Sequence, residues 1–131
     1  MHAGADMGRI LLVEDDADVG RVVAEFLGTL GHRVISASSA QQARRVLAIE
    51  RVDLALIDCL MKGEQGDSLA EHVSQLGIPT ILTSGDPHYL ETLGGQGLPF
   101  LAKPFRLVAL EELISRFLQT DPERQSPVAS N

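Results

Sequence analysis

Four places in the sequence gather side chains able to handle charge: Glu14, Asp15, Asp16 and Asp18 in "EDDAD", Asp58 in "LIDCL", Thr83, Ser84 and Asp86 in "TSGD", and Lys103 with Pro104 after it. Each follows a short apolar run: "RILLV" (9–13), "VDLALI" (52–57), "PTILT" (79–83) and "PFLA" (99–102). If the runs ending at 13 and 57 lie side by side, Glu14, Asp15 and Asp58 share one cleft. Carboxylates within a few ångströms of each other raise one another's pKa and destabilise a fold unless a cation compensates. Hard oxygen donors open to water suit Mg²⁺, or Mn²⁺, better than zinc. Lys103 is the single basic residue among these four run ends.

Taken one at a time, these residues have plainer uses. Asp16 suits the N-cap of a first helix, Ser84 suits a turn, and a lysine such as Lys103 often lays its stem on the surface with its head in water. The combination points to a metal site. Dinucleotide and P-loop sites need glycines behind the first strand so that backbone N–H groups can reach phosphate, and "EDDADVG" offers anions there. Phosphatases with an aspartyl nucleophile carry a second Asp two residues after it; Leu60 stands at that place.

The elements that must position these groups alternate in type. Adding "HRVIS" (32–36), there are five apolar runs separated by stretches long enough for a helix each. Val19, Val22, Val23, Phe26, Leu27 and Leu30 form one helical stripe, and Leu110, Leu113, Ile114, Phe117 and Leu118 another. Ser39 with Gln42 makes a capping-box pattern, and Asp86-Pro87 places an acceptor at N-cap and proline at N1, though "GGQG" (94–97) cuts that helix short. Runs rich in Leu, Ile and Val without polar alternation are buried on both faces, which implies a parallel sheet covered by helices on each side. Such sheets place their sites outside the carboxyl ends of the strands, where the charged groups fall. The expectation is one α/β domain over 9–119, an N-terminal extension over 1–8 and a disordered polar tail over 120–131.

Composition narrows the class. With 131 residues, 44% of them hydrophobic, the chain has material for one core. A net charge of -7 with 11 Lys+Arg gives no basic stripe, so direct binding to nucleic acid or an anionic membrane is not expected. The lone Cys59 cannot form an internal disulfide, no run approaches the roughly 18 apolar residues of a membrane span, and "MHAGADMG" lacks signal-peptide order. A cytoplasmic location follows as the expectation.

Four of these signals, in this order, resemble the receiver domain of bacterial two-component response regulators: the acidic pair of "LLVEDD", the Asp of "LIDCLMKGEQG", the hydroxyl-small pair of "TILTSG" and the Lys-Pro of "FLAKPF". The resemblance covers about 9–119. It implies a flavodoxin-like doubly wound (βα)5 three-layer sandwich with a five-stranded parallel sheet in the order 2-1-3-4-5. It also implies Asp58 as phosphoacceptor, Asp15 as direct Mg²⁺ ligand, Glu14 as ligand through water, and the backbone carbonyl of Leu60 as a further ligand. Asp15 with Asp16 is the competing alignment of the acidic pair; Glu14 with Asp15 is preferred because they follow the apolar run immediately. Ser84, ahead of Gly85 and five residues after Pro79, is preferred to Thr83 as the hydroxyl beside the phosphoryl group, and Lys103 matches the family's lysine.

In such a domain the Asp58 carboxylate takes a phosphoryl group from a histidine kinase or phosphotransfer protein. Ser84 and an aromatic of the fifth strand, here Phe100, then shift and remodel the surface formed by the helix after Pro87, the fifth strand and the last helix, where a downstream protein or a second protomer docks. Phe100 is equally readable as core. Two departures stand out: Lys62 replaces the family's usual proline, and Leu60 at a position that helps orient hydrolytic water predicts slow or partner-dependent self-dephosphorylation. Two other functions stay open, a pseudo-receiver that binds proteins without phosphorylation, favoured by Lys62, and a metal-dependent phosphohydrolase, disfavoured by Leu60.

Overall fold

The computed structural model describes residues 8–59, 66–85 and 99–120. Five strands, β1 (Arg9–Val13), β2 (Arg33–Ala37), β3 (Leu54–Asp58), β4 (Thr80–Ser84) and β5 (Phe100–Ala102), form one sheet in the order β2-β1-β3-β4-β5 with every neighbouring pair parallel. The described helices are α1 (Ala17–Thr29), α2 (Ala40–Ile49), α3 (Gly66–Gln75) and α4 (Leu107–Thr120). The helix expected after Pro87, the extension over 1–7, the loop with Leu60 and Lys62, and the tail from 121 lie outside the described residues.

Alternation along the strands splits the apolar side chains into two cores. Leu11, Val13, Ala55, Ile57 and Leu82 pack with Ala40, Ala43, Leu69 and Val73 of α2 and α3 on one face. Ile10, Leu12, Leu54, Leu56 and Ile81 pack with Val23 and Leu27 of α1 and Leu110, Ile114 and Leu118 of α4 on the other. Every residue of β3 and β4 is buried, as expected of central parallel strands covered on both faces. Burying each large aliphatic here contributes about 1.5–3 kcal/mol.

Local signals set the ends of the elements. Asp16 caps α1 by accepting from the N–H groups of Asp18 and Val19, and Ser39 caps α2 by accepting from Gln42 N–H at 3.1 Å. The Gln42 side chain, however, reaches Ser38, whose N–H and hydroxyl donate to its Oε1 at 2.8 and 3.0 Å, so the reciprocal half of the expected box is offset by one residue. Gly77 takes φ +81 in the turn between α3 and β4, a conformation that side chains disfavour. The first helical stripe is narrower than expected: Val23 and Leu27 are buried, whereas Val22 is 51% exposed. Strand three begins and ends later than the apolar run, so Asp58 is its last residue and pairs in register with Thr83.

Candidate functional site

The carboxyl ends of β1, β3, β4 and β5 come together along one edge of the sheet. Glu14 continues β1 by one ladder bond, its N–H donating to Ala37 O at 3.0 Å, and Asp15 follows in the turn before α1. Asp58 ends β3, and its neighbour Cys59 donates its N–H to Thr83 O at 2.8 Å. Because β3 is flanked by β1 and β4, these backbones hold Glu14 and Asp58 on adjacent strands. Side-chain oxygens of Glu14, Asp15 and Asp58 all lie within 4.8 Å of one another. The convergence expected of these three residues is therefore present, 44 residues of sequence separating Glu14 from Asp58.

Lys103 closes the cluster from β5. Its Nζ donates to Glu14 Oε1 at 2.8 Å and to Asp58 Oδ2 at 3.2 Å. Both carboxylate side chains are only 6% exposed and the lysine 24%. Burial pushes the Glu14 carboxyl above its ordinary range; the Lys103 hydrogen bond opposes this, and the charge of Asp58 adds to it. Burial acts against the Lys103 ammonium too, but the hydrogen bond from it to Glu14 and the charges of Asp58 and Glu14 prevail and raise its pKa. The lysine is thus held charged against two buried acidic side chains. The peptide joining Lys103 to Pro104 is cis.

The remaining expected residues sit nearby at different depths. Ser84 is the last residue of β4 and is buried; its C=O accepts from Lys103 N–H at 2.8 Å, which fixes the two strand ends against each other. Thr83, one residue earlier, is buried beside Asp58 in the ladder. Phe100 is half-buried against the core on the α2 and α3 side. Leu60 lies outside the described residues. Sequence reasoning missed that Lys103 bonds Glu14 at the shorter of its two contacts, and that Asp16 N–H donates to Glu14 Oε2 at 3.3 Å. The only hint of the second was the capping pattern at Asp16.

The donor set fits a hard divalent cation: three carboxylates, two of them buried, with oxygens close enough to share one ion and no sulfur or imidazole among them. Beside the cluster, a cleft of about 540 Å³ runs between α1 and the segment after β5, lined by Val19, Val22, Val23, Lys103, Phe105 and Leu107 among others. Among the described residues, no helix is long and apolar enough to cross a membrane.

Known proteins are similar to this chain in sequence and in fold. An uncharacterized transcriptional regulatory protein of Bacillus subtilis, YbdJ, is 34% identical over 101 residues, 74% of this chain and 44% of its own. This chain spans about half the length of the curated relatives it matches. A CheY-like response regulator receiver domain protein from Methanospirillum hungatei superposes with a TM-score of 0.79 at 25% identity, covering 92% of this chain and 98% of that one. The receiver domain of a sensor histidine kinase from Pseudomonas aeruginosa, solved with a magnesium ion coordinated in its active site cleft, superposes with a TM-score of 0.77 at 27% identity over 86% of this chain and 98% of its own. The sequence profile of the response regulator receiver domain matches residues 10–115. With that match over most of its length and the shared sheet order of its structural neighbours, the chain belongs to the response regulator receiver domain family.

Proposed function

We propose that this receiver domain accepts a phosphoryl group on Asp58 from the phosphohistidine of a sensor kinase or phosphotransfer protein. The observation that carries the proposal is the cluster itself: Asp58 shares its cleft with Glu14 and Asp15, oxygens within 4.8 Å, while Lys103 bonds both Glu14 and Asp58. An Asp58 oxygen attacks phosphorus, the O–P bond forms, the P–N bond breaks, and the imidazole of the donor leaves. The carboxylate oxygen attacks directly, so no side chain need act as a strong base. Lys103, held charged by its partners, can turn its N–H donors from the carboxylates to the phosphoryl oxygens, and the Ser84 hydroxyl from the adjacent strand end supplies a further donor. Most of the catalysis is positioning and electrostatics.

Glu14, Asp15, Asp58 and the carbonyl of Leu60 would hold Mg²⁺, or Mn²⁺ in its place. Bound there, the ion offsets the carboxylates and the charge of the phosphoryl oxygens. Without the ion Lys103 performs part of that task by pairing with the two buried acids, Glu14 and Asp58.

The domain proper is proposed as 9–119, in the cytoplasm where its kinase and downstream protein are reached. Phosphorylation would draw Ser84 toward the phosphate and Phe100 inward, altering the face formed by the segment after Pro87, β5 and α4 for a partner or a second protomer. Leu60 would leave self-dephosphorylation slow. Apart from Lys62 in the sequence, no observation favours a phosphorylation-independent binding module, and none favours a phosphohydrolase.

Incubation with Mg²⁺ and acetyl phosphate, read by intact mass, tests this. One phosphoryl adduct, absent with chelator and absent in Asp58→Asn, is expected. An adduct that survives in Asp58→Asn, or none at all in the wild type, overturns the assignment. Leu60→Asn should shorten the life of the adduct.

A further inference from the structure

The two oxygens of Glu14 are held from opposite sides. Oε1 accepts from Lys103, and Oε2 accepts from the backbone N–H of Asp16 at 3.3 Å. Asp16 is also the N-cap of α1: its Oδ1 accepts from the N–H groups of Asp18 at 3.0 Å and Val19 at 3.2 Å, and its C=O accepts from Gly20 N–H at 2.9 Å. Gly20 in turn backs the stem of Glu14, since a β-carbon there would meet Glu14 Cγ at 3.7 Å. One oxygen and the aliphatic stem of Glu14 therefore lean on the first turn of α1. The backbone of that turn is fixed by the Asp16 side chain.

We propose that Asp16 is a positioning residue for the cation site: by capping α1 it holds the N–H that orients Glu14 toward Asp15 and Asp58. This rests on the metal-binding receiver function proposed above and deepens it. It also separates two roles for the acidic run. As a ligand or a source of field, Asp16 must be negative. As a cap it needs only an acceptor oxygen, which asparagine and serine supply equally well. Its exposure and its two local hydrogen bonds suit the second role, and among the described residues the metal-competent group comprises Glu14, Asp15 and Asp58 without it.

The test is Mg²⁺ affinity, measured by calorimetric titration at a temperature where every variant is folded, on wild type, Asp16→Ala, Asp16→Asn, Asp16→Ser and Ser39→Ala. Ser39 caps α2 in the same manner, its hydroxyl accepting from Gln42 N–H at 3.1 Å, so its loss should lower the melting temperature through helix capping and serves as the control. Asp16→Ala should bind Mg²⁺ on the order of tenfold more weakly, as expected when a group orienting a ligand is removed. Asp16→Asn, Asp16→Ser and Ser39→Ala should bind like wild type. Wild-type affinity in Asp16→Ala, weakening in Asp16→Asn and Asp16→Ser, or equal weakening in Ser39→Ala each overturns the proposal. If Asp16→Ala does not fold, the asparagine and serine variants decide between cap and charge. A wild type that binds no Mg²⁺ at millimolar levels removes the proposed function and this inference together; a wild type that binds, with Asp16→Ala unaffected, removes only the inference.

Discussion

Lys103→Met should turn the acidic cleft from a tolerated feature into the weak point of the fold. The lysine lies 2.8 Å from Glu14 and 3.2 Å from Asp58, both nearly inaccessible to water. At an effective dielectric near 20, a unit ion pair about 3 Å apart gains roughly 5 kcal/mol, and two carboxylates about 5 Å apart lose roughly 3 kcal/mol. Desolvation of the three groups offsets much of the attraction while the lysine is present. When methionine replaces it, stem volume is kept and the repulsion is left uncompensated. A loss of about 3 kcal/mol follows for the metal-free protein at neutral pH, within the range for breaking a buried pair. Mg²⁺ at about a hundred times its Kd returns roughly 2.7 kcal/mol, so saturating Mg²⁺ should restore most of the deficit. The variant should also bind the ion more tightly than wild type, since no ammonium competes for Glu14 and Asp58. Urea unfolding followed by helix circular dichroism is the suitable assay, because the chain has no Trp and a single Tyr. Equal stability of variant and wild type in chelator, or the same gain from Mg²⁺ in both, would refute the claim that Lys103 compensates the cluster.

Glu14 gives a pH signature. Burial first, opposed by Lys103 and reinforced by Asp58, sets its folded pKa above the ordinary 4.5, so the folded state holds this proton more tightly than the unfolded chain. Its contribution to stability is most favourable at acid pH, falls as pH rises from the ordinary value through the raised one, and stays lost above it. Glu14→Gln should therefore be more stable than wild type at neutral pH in chelator, with the difference shrinking in acid; a less stable variant at neutral pH contradicts this. The ammonium of Lys103 acts in the opposite sense, its stabilisation intact below 10.5 and lost as pH climbs through its raised pKa, so wild type should show an alkaline loss in urea midpoint that Lys103→Met lacks. Two glycines separate space from conformation: Gly28, helical with nothing within 4 Å of an added β-carbon, should gain about 0.5–1 kcal/mol as alanine. Gly77→Ala, at φ +81, should lose about 1–2 kcal/mol by the same urea assay.

What could be read from the sequence follows from where each residue's constraint originates. The five strands were legible because β1, β3 and β4 are covered on both sides, which leaves unbroken runs such as "RILLV" and "TILTS". Ser39 and Asp16 were legible because a cap is a local bargain between a side chain and the next three N–H groups. Val22 was misjudged because periodicity measures distance along the helix and not the width of what lies beneath it. Asp58 was legible as the end of its strand because a carboxylate closes the apolar run; at the carboxyl edge of a sheet its backbone still pairs while the side chain turns into the cleft.

The bond between Lys103 and Glu14 joins residues 89 apart, and no local rule foretells it. It exists because the strand order sets β1 beside β3 and β3 beside β4, with β5 at the edge, bringing four strand ends to one cleft. That order entered by family resemblance and not from periodicity. Local chemistry argues the other way: a buried glutamate whose ionised form is disfavoured, beside a second buried carboxylate, lowers the stability of the isolated fold. A sequence selected only for folding has an easy remedy in glutamine or asparagine at these positions. Retaining the acids makes sense where a cation and a phosphoryl group use the charge, so the local conflict is itself the mark of the site.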